Sequence, residues 1–278
     1  SENVSFEQFT LEFDRIPQKV KTDFYENIIK QNKFYQNESS QNDINTFYQF
    51  GEILRRKTKL TPKEKSRMYR LEGTYRNQLY VFKKRIPYLV KTIDLFEKAC
   101  QLLPNDYRNW AQFAYAASSA FNENNDLYVA KAMQGFLKAA KLLQTNNLEF
   151  LLLLFSLFFR YGCKTQSLDL PEELINLNPE IIQQILPQIV CQINHNEPAV
   201  RNVVHQILIR FSKQHFQALV FSLHLLVEST DKMKSSIASD LFLKLSQEHP
   251  QIASEAKMMV DGFLKSSITP YEKWMETL

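Results

Sequence analysis

Positive charge is the feature of this chain best placed to do chemistry. Arg55, Arg56, Lys57, Lys59, Lys63, Lys65, Arg67 and Arg70 crowd one short stretch, and Lys83, Lys84 and Arg85 follow a few turns later. Guanidinium and ammonium groups that converge on one point can hold phosphate oxygens. The same groups spread around a helix are simply solvated. Both readings stand on the residues alone, and the deciding question is whether a cation distant in sequence joins the cluster in space. Nucleic acid is disfavoured: the interleaved Tyr69 and Tyr75 fit helical core spacing better than a stacking platform, and a net charge of +4 is small for 278 residues.

Other chemistries find no support in the spacing. There is no Gly-rich phosphate loop, no His-x-x-x-His pair, and no His-Arg-Asp or Asp-Phe-Gly triplet. The histidines (His195, His205, His215, His224 and His249) all lie in the second half, and His205 and His215, ten apart, point in different directions on one helix. They read as satisfied surface or interface residues, with no metal site. Glu172, Glu173 and Glu255 read as solvated helix faces. Cys100, Cys163 and Cys191 are odd in number and far apart, each in or beside an apolar segment, so they are expected to be buried thiols in a reducing compartment.

The elements that position these residues are helices. Apolar residues make up 44% of the chain, only five glycines occur, and few segments alternate with period two. Residues 1–14 lack the long apolar core of a signal peptide. The most apolar run, Phe150 to Phe159, is about ten residues, too short for a bilayer, and is expected to be a buried helix.

Helix starts and stops punctuate the chain. Thr61-Pro62-Lys63-Glu64 has a Thr cap, Pro at the first position and Glu three residues after the cap. Pro104 disfavours helix at Leu103, and Asp106 can cap a helix from Tyr107 that opens on Trp110, Phe113, Ala114 and Ala117. Gly162 is placed to cap the helix Leu148 to Tyr161. Further starts are expected near Asn178-Pro179, Glu197-Pro198, Lys213 to His215, Ser229 to Asp231, His249-Pro250 and Thr269-Pro270. Ile181, Ile182, Ile185, Leu186, Ile189, Val190 and Ile193 draw the clearest apolar stripe, expected to lie on one helix. Two helices fill roughly 35–40 residues, which predicts an all-α fold: an α-solenoid of stacked antiparallel helix pairs, tetratricopeptide- or HEAT-like. The final segment starts a helix and stops without a C-terminal cap, as if cut within an element.

Several segments, in order, resemble the FAT region of the target-of-rapamycin (TOR) kinases, giant members of the phosphatidylinositol-3-kinase-related family. Arg70-Leu-Glu-Gly-Thr-Tyr75 is similar to that family's Leu-Gly-Glu-Trp helix, and Tyr107-Arg-Asn-Trp110 stands where it has Tyr-Lys-Ala-Trp. Ala132-Met-Gln-Gly-Phe136 resembles Ala-Val-Gln-Gly-Phe. Ile185-Leu-Pro-Gln-Ile189, Val204-His-Gln-Ile-Leu208 and His215-Phe-Gln-Ala-Leu219 resemble Val-Ile-Pro-Gln-Leu, Ile-His-Gln-Leu-Leu and His-Pro-Gln-Ala-Leu. Glu255-Ala-Lys-Met-Met259 and the segment from Glu272 to Leu278 resemble the entry to the rapamycin-binding bundle. The resemblance covers roughly residues 65–278.

The resemblance implies a C-shaped solenoid that clamps a Ser/Thr kinase domain further along the same polypeptide, where ATP and Mg²⁺ act; no catalytic residue lies in this chain. It divides the chain into N-terminal helices over 1–60, tetratricopeptide-like helices over 61–163, HEAT-like helices over 164–268, and the first turns of the rapamycin-binding bundle over 269–278. It implies an inositol hexakisphosphate pocket on which Arg67 and Arg108 fall, with Lys63 and Arg70 close by. A third pocket lysine of the family is Leu71 here. Leu278 matches a drug-contacting leucine at the edge of an incomplete site, Trp110 and Trp274 are expected as structural anchors, and Pro270 replaces the family's first tryptophan in that motif. The implied partners are the kinase domain and neighbouring repeats of the same polypeptide and TOR-complex subunits, in the cytoplasm, with no membrane span. An independent helical-repeat adaptor holding a partner peptide, or a scaffold segment of a related pseudokinase or DNA-damage kinase, are the alternatives.

Overall fold

The first helix begins where Thr61 and Glu64 close on each other. The Thr61 backbone N and Oγ1 both donate to Glu64 Oε2 at 2.8 Å, and Glu64 N donates back to Thr61 Oγ1 at 3.3 Å. This reciprocal capping satisfies donors that an uncapped helix end would leave without partners. The computed structural model describes residues 60–83, 86–120, 126–143, 147–165 and 169–276. Every regular element among them is a helix, and successive helices pack on their neighbours as pairs. The chain falls into two units, Ser1–Phe150 and Leu151–Leu278.

In the first unit the capped helix is α1 (Pro62–Lys83), followed by α2 (Ile86–Leu102), α3 (Tyr107–Ala120) and α4 (Asp126–Leu142). Helix α2 buries Leu89, Ile93, Phe96, Ala99 and Cys100 on one face, and Phe113 and Ala116 of α3 close on the same cluster. Tyr80, Trp110, Ala120 and Tyr128 cover its edge. Phe96 is wholly buried, which contributes about 2–3 kcal/mol relative to leaving it in water. Glycine is required opposite that ring. A Cβ at Gly73 of α1 would lie 2.6 Å from Phe96 Cε1, so α1 and α2 approach as closely as they do only without a side chain there.

Helices α3 and α4 approach closely, since a Cβ at Gly135 of α4 would lie 2.8 Å from Ala114 Cβ of α3. Phe136 of α4 is wedged edge-on to Tyr115 at 5.3 Å and stacked on Phe150 at 6.4 Å. Helix α5 (Leu148–Tyr161) starts beyond Asn147, whose buried Nδ2 donates to Ala140 O at 3.1 Å and satisfies a carbonyl near the end of α4.

In the second unit α5 buries Leu151, Leu154, Phe155 and Phe158, so the apolar run is a core helix. None of the described helices is long and apolar enough to cross a membrane. After a 3₁₀ turn (Gly162–Thr165) come α6 (Leu170–Ile175), α7 (Pro179–Gln184), α8 (Leu186–Cys191), α9 (Pro198–Val227), α10 (Lys232–Glu248) and α11 (Pro250–Glu276). Helix α9 is the hub on which the 3₁₀ turn and all the other helices from α6 to α11 pack. Asn178 Oδ1 caps α7 by accepting from Glu180 N at 3.1 Å, and Asp231 Oδ1 caps α10 by accepting from Met233 N at 3.0 Å.

Four expectations are corrected in detail. The isoleucine stripe is buried, but on two short helices rather than one. Pro187 has no N–H to offer and its ring excludes the helical carbonyl four residues back, so the chain breaks at Ile185 (φ −120°, ψ 14°). Gly162 follows α5 but does not have the left-handed backbone of a helix cap. Its role is close approach, because a Cβ there would lie 2.9 Å from both Phe158 and Val200. No helix starts at Thr269-Pro270, since α11 runs unbroken through them. Only Cys100 is a buried thiol; Cys163 and Cys191 are exposed. The start expected near Lys213 to His215 is present: α9 is two helices joined at a kink, with His215 at φ −131° and ψ 41°.

Candidate functional site

The basic residues of α1 are positioned by its cap and its register. Lys63, Arg67 and Arg70 lie at i, i+4 and i+7, so they share one face of the helix. Lys63 and Arg67 are exposed, and Arg70 is half-buried. Arg55, Arg56, Lys57 and Lys59, with Lys84 and Arg85, lie outside the described residues.

Residue Ser66 on α1 ties that face to the two helices beyond it. Its Oγ donates to Ala99 O of α2 at 2.9 Å and accepts from Asn109 Nδ2 of α3 at 2.8 Å. Asn109 Nδ2 also reaches Ala99 O at 3.1 Å and Leu103 O at 3.4 Å. Both side chains are almost fully buried, at 1% exposure each. Three helices therefore meet at one polar joint, and the joint sets where α3 begins relative to α1.

One turn further along α1, Arg70 Nη1 forms an ion pair with Asp106 Oδ2 at 3.2 Å, with the side chains 20% and 26% exposed. The other oxygen, Asp106 Oδ1, accepts from the backbone N of Arg108 at 3.0 Å. A single carboxylate thus caps α3 and neutralises Arg70. Arg108 is exposed, its guanidinium 5.8 Å from the centre of the Tyr107 ring. Its proton is held even more tightly than usual, first by a hydrogen bond with the Tyr107 side chain, then by attraction to Tyr107 and Asp106. Cations from two helices, Arg70 from α1 and Arg108 from α3, are drawn toward the same carboxylate.

Trp110 is half-buried beside this start. Its Nε1 donates to Pro104 O at 2.7 Å, its ring meets Phe113 edge-on at 6.1 Å, and Lys138 Nζ of α4 lies 4.6 Å above it. The fully buried position of the Tyr-Arg-Asn-Trp motif is Asn109. Sequence reasoning passed over Asn109, although it stands in core phase with Phe113 and Ala116. Leu71 is half-buried on α1. Trp274 falls in the backbone of α11 without a described side chain, and Leu278 lies outside the described residues.

The remaining candidates do not assemble into a catalytic group. His195 Nδ1 accepts from Glu197 N at 3.0 Å ahead of α9, and His205 Nε2 is 2.9 Å from Ile193 O. His215 stacks on Phe211 at 5.3 Å and His249 on Phe216 at 5.0 Å. His224 is buried at 3% exposure with neither ring nitrogen hydrogen-bonded; Asp261 lies 3.8 Å away, beyond hydrogen-bond reach. Among the described residues no three His, Cys, Asp or Glu side chains gather as metal ligands.

The FAT domain profile matches residues 3–155. Over 217 residues (67% of this chain) the sequence is 27% identical to the serine/threonine-protein kinase mTor of Drosophila melanogaster, covering 9% of that protein. It is 25% identical over 199 residues, 66% of this chain and 8% of the relative, to the serine/threonine-protein kinase TOR of Arabidopsis thaliana. The serine/threonine-protein kinase tor1 of Schizosaccharomyces pombe is 26% identical over 152 residues, 54% of this chain and 6% of its own length. The chain thus spans less than a tenth of the length of these curated relatives.

Proposed function

The chain belongs to the FAT domain family, and we propose that it is the non-catalytic helical scaffold segment of a TOR-like Ser/Thr kinase, bracing a kinase domain in the same polypeptide and binding an inositol polyphosphate. The scaffold part is supported by how the side chains are used. The helices pack on one another as adjacent pairs, and among the described residues no three His, Cys, Asp or Glu side chains gather as metal ligands. ATP, Mg²⁺ and the phosphoryl transfer belong to the kinase domain, and the activity is cytoplasmic. The neighbouring repeats, the kinase domain and TOR-complex subunits are the partners. They would cover apolar side chains that α10 and α11 leave in water, among them Met233, Leu243, Met258 and Phe263.

The observation that carries the polyphosphate reading is the Arg70–Asp106 ion pair at the start of α3, where Asp106 also accepts from the backbone N of Arg108, with Lys63 and Arg67 on the same stripe as Arg70. Arginine suits this role because its planar donors pair with phosphate oxygens in a fixed fork. A titration of the folded chain with inositol hexakisphosphate, followed by thermal unfolding, tests it. At a hundredfold excess over the dissociation constant, linkage gives about 2.7 kcal/mol of stabilisation. The Arg67→Ala and Arg108→Ala variants are expected to lose most of it. No stabilisation in a well-folded sample removes the polyphosphate from the function and leaves the scaffold.

A further inference from the structure

His224 of α9 sits where α9, α10 and α11 pack together, at 3% exposure. From α10 it meets the Phe242 ring, with centroids 5.5 Å apart. From α11 it meets the Asp261 carboxylate, with Nε2 3.8 Å from Oδ1. Neither ring nitrogen has a hydrogen-bond partner. A buried polar group in that state costs free energy that an apolar side chain of similar volume would not. Of the charged residues next in sequence to these contacts, Glu228, Asp240, Lys244 and Lys257 are exposed, and Lys265 has no described side chain. Asp261 is the charge placed to answer a change on the imidazole.

We propose that His224 and Asp261 form a proton-operated latch between α9 and α11. One proton, taken from solvent by the unprotonated ring nitrogen, makes the ring a cation with an N–H at Nε2. That N–H donates to Asp261 Oδ1 once α11 has moved about 1 Å toward α9, since charge-assisted N–H···O bonds are about 2.7–2.9 Å long. Burial opposes the charged ring, and the facing carboxylate favours it. Asp261 is 45% exposed, so water solvates one side of the carboxylate while the imidazole takes the other. Imidazole ordinarily changes charge between about pH 5 and 8, so the latch engages on mild acidification and releases on return to neutral pH. Below about pH 4, where carboxylates ordinarily take up protons, it opens again. Met258, Met259 and Phe263 flank Asp261 in sequence and are exposed. The latch therefore sets the position of these apolar side chains relative to α9.

Backbone hydrogen exchange of the full chain, corrected for intrinsic rates, tests the latch at about pH 7.5 and about pH 5.5, on either side of the ordinary imidazole midpoint. Asp261→Asn keeps the shape and removes the charge. His224→Gln keeps a polar side chain that cannot become a cation. In the wild type, the amides from Ala253 to Val260 should gain about threefold in protection at the lower pH, the size expected of a partly solvated ion pair. Neither variant should show that gain, and α2, in the other unit, should show none in any of the three proteins. Nuclear magnetic resonance of the imidazole should show His224 changing charge over the same range in the wild type. If its ring signals stay constant, or if α11 gains protection equally in all three proteins, the latch is wrong. Should His224→Gln fail to fold, the surface variant Asp261→Asn decides alone.

Discussion

Replacing Asn109 with Ala should loosen the joint between α1, α2 and α3 by an amount the geometry sets. The Nδ2 group has two hydrogens and three acceptors within reach: Ser66 Oγ at 2.8 Å, Ala99 O at 3.1 Å and Leu103 O at 3.4 Å. At most two full bonds can form at once, each contributing about 1 kcal/mol net. Their loss leaves no acceptor stranded, because Ala99 O still accepts from Ser66 Oγ and Leu103 N, and Leu103 O still accepts from Asp106 N. The space vacated adds about 1 kcal/mol. Against that, Asn109 Oδ1 is buried without a partner, and removing it returns about 1 kcal/mol. The net cost is about 2 kcal/mol. Urea unfolding followed by circular dichroism should show a lower midpoint at unchanged slope. A double-mutant cycle with Ser66→Ala should give a coupling of about 1 kcal/mol, because the two side chains are in contact. A cost below about 0.5 kcal/mol, or strict additivity of the two changes, would refute the polar joint.

Three further outcomes follow from single features. Gly73→Ala places a Cβ 2.6 Å from the buried Phe96 ring, so α1 and α2 must separate; a loss of about 1–3 kcal/mol is expected in chemical denaturation, and an unchanged midpoint would show that the ring yields freely. Two bonds from Thr61, backbone and then side chain, hold the Glu64 carboxyl below its ordinary 4.5. A depressed carboxylate stabilises the fold above the unfolded value and loses that contribution as pH falls through the folded one, so Glu64→Gln should flatten stability against pH below about 4.5; an identical profile for both proteins would mean that the box is not formed. Burial, ahead of the Glu97 charge, pushes the Cys100 thiol up to about 12, whereas Cys163 and Cys191 are exposed. A disulfide reagent should therefore label Cys163 and Cys191 in the native chain and Cys100 only on unfolding; fast labelling of Cys100 would contradict the packing of α2.

What could be read from the amino acids was what depends on near neighbours. The Thr61–Glu64 box, the Asp106 cap and the Pro179, Pro198 and Pro250 starts are local chemistry within four residues, and each stands as expected. The isoleucine stripe was legible as a buried face, but its break was not: periodicity reports which side faces the core, and it took Pro187 to divide one face between two helices. Pro270 misled in the opposite direction, as a proline signal inside a helix that continues past it. The least legible features join residues far apart in sequence. Asn109 and Ser66 are 43 positions apart and Arg70 and Asp106 are 36 apart, and neither pairing leaves a mark on its own segment. At the candidate site Asp106 was legible as the cap of α3, whereas its ion pair with Arg70 was not.

Helix α11 has a mechanical consequence. At 1.5 Å per residue its length is about 40 Å. Among its residues with described side chains, Ala253, Ala256 and Val260 are buried, whereas Gly262, Phe263 and Ser266 are exposed. Over that length each degree of tilt about Pro250 displaces Glu276 by roughly 0.7 Å, taking the same rise per residue. Pro270 offers no N–H to the carbonyl of Ser266, and this concentrates the bending compliance of the rod near that turn. A small rotation of α11 where it packs on α9 is thereby amplified with distance along the rod.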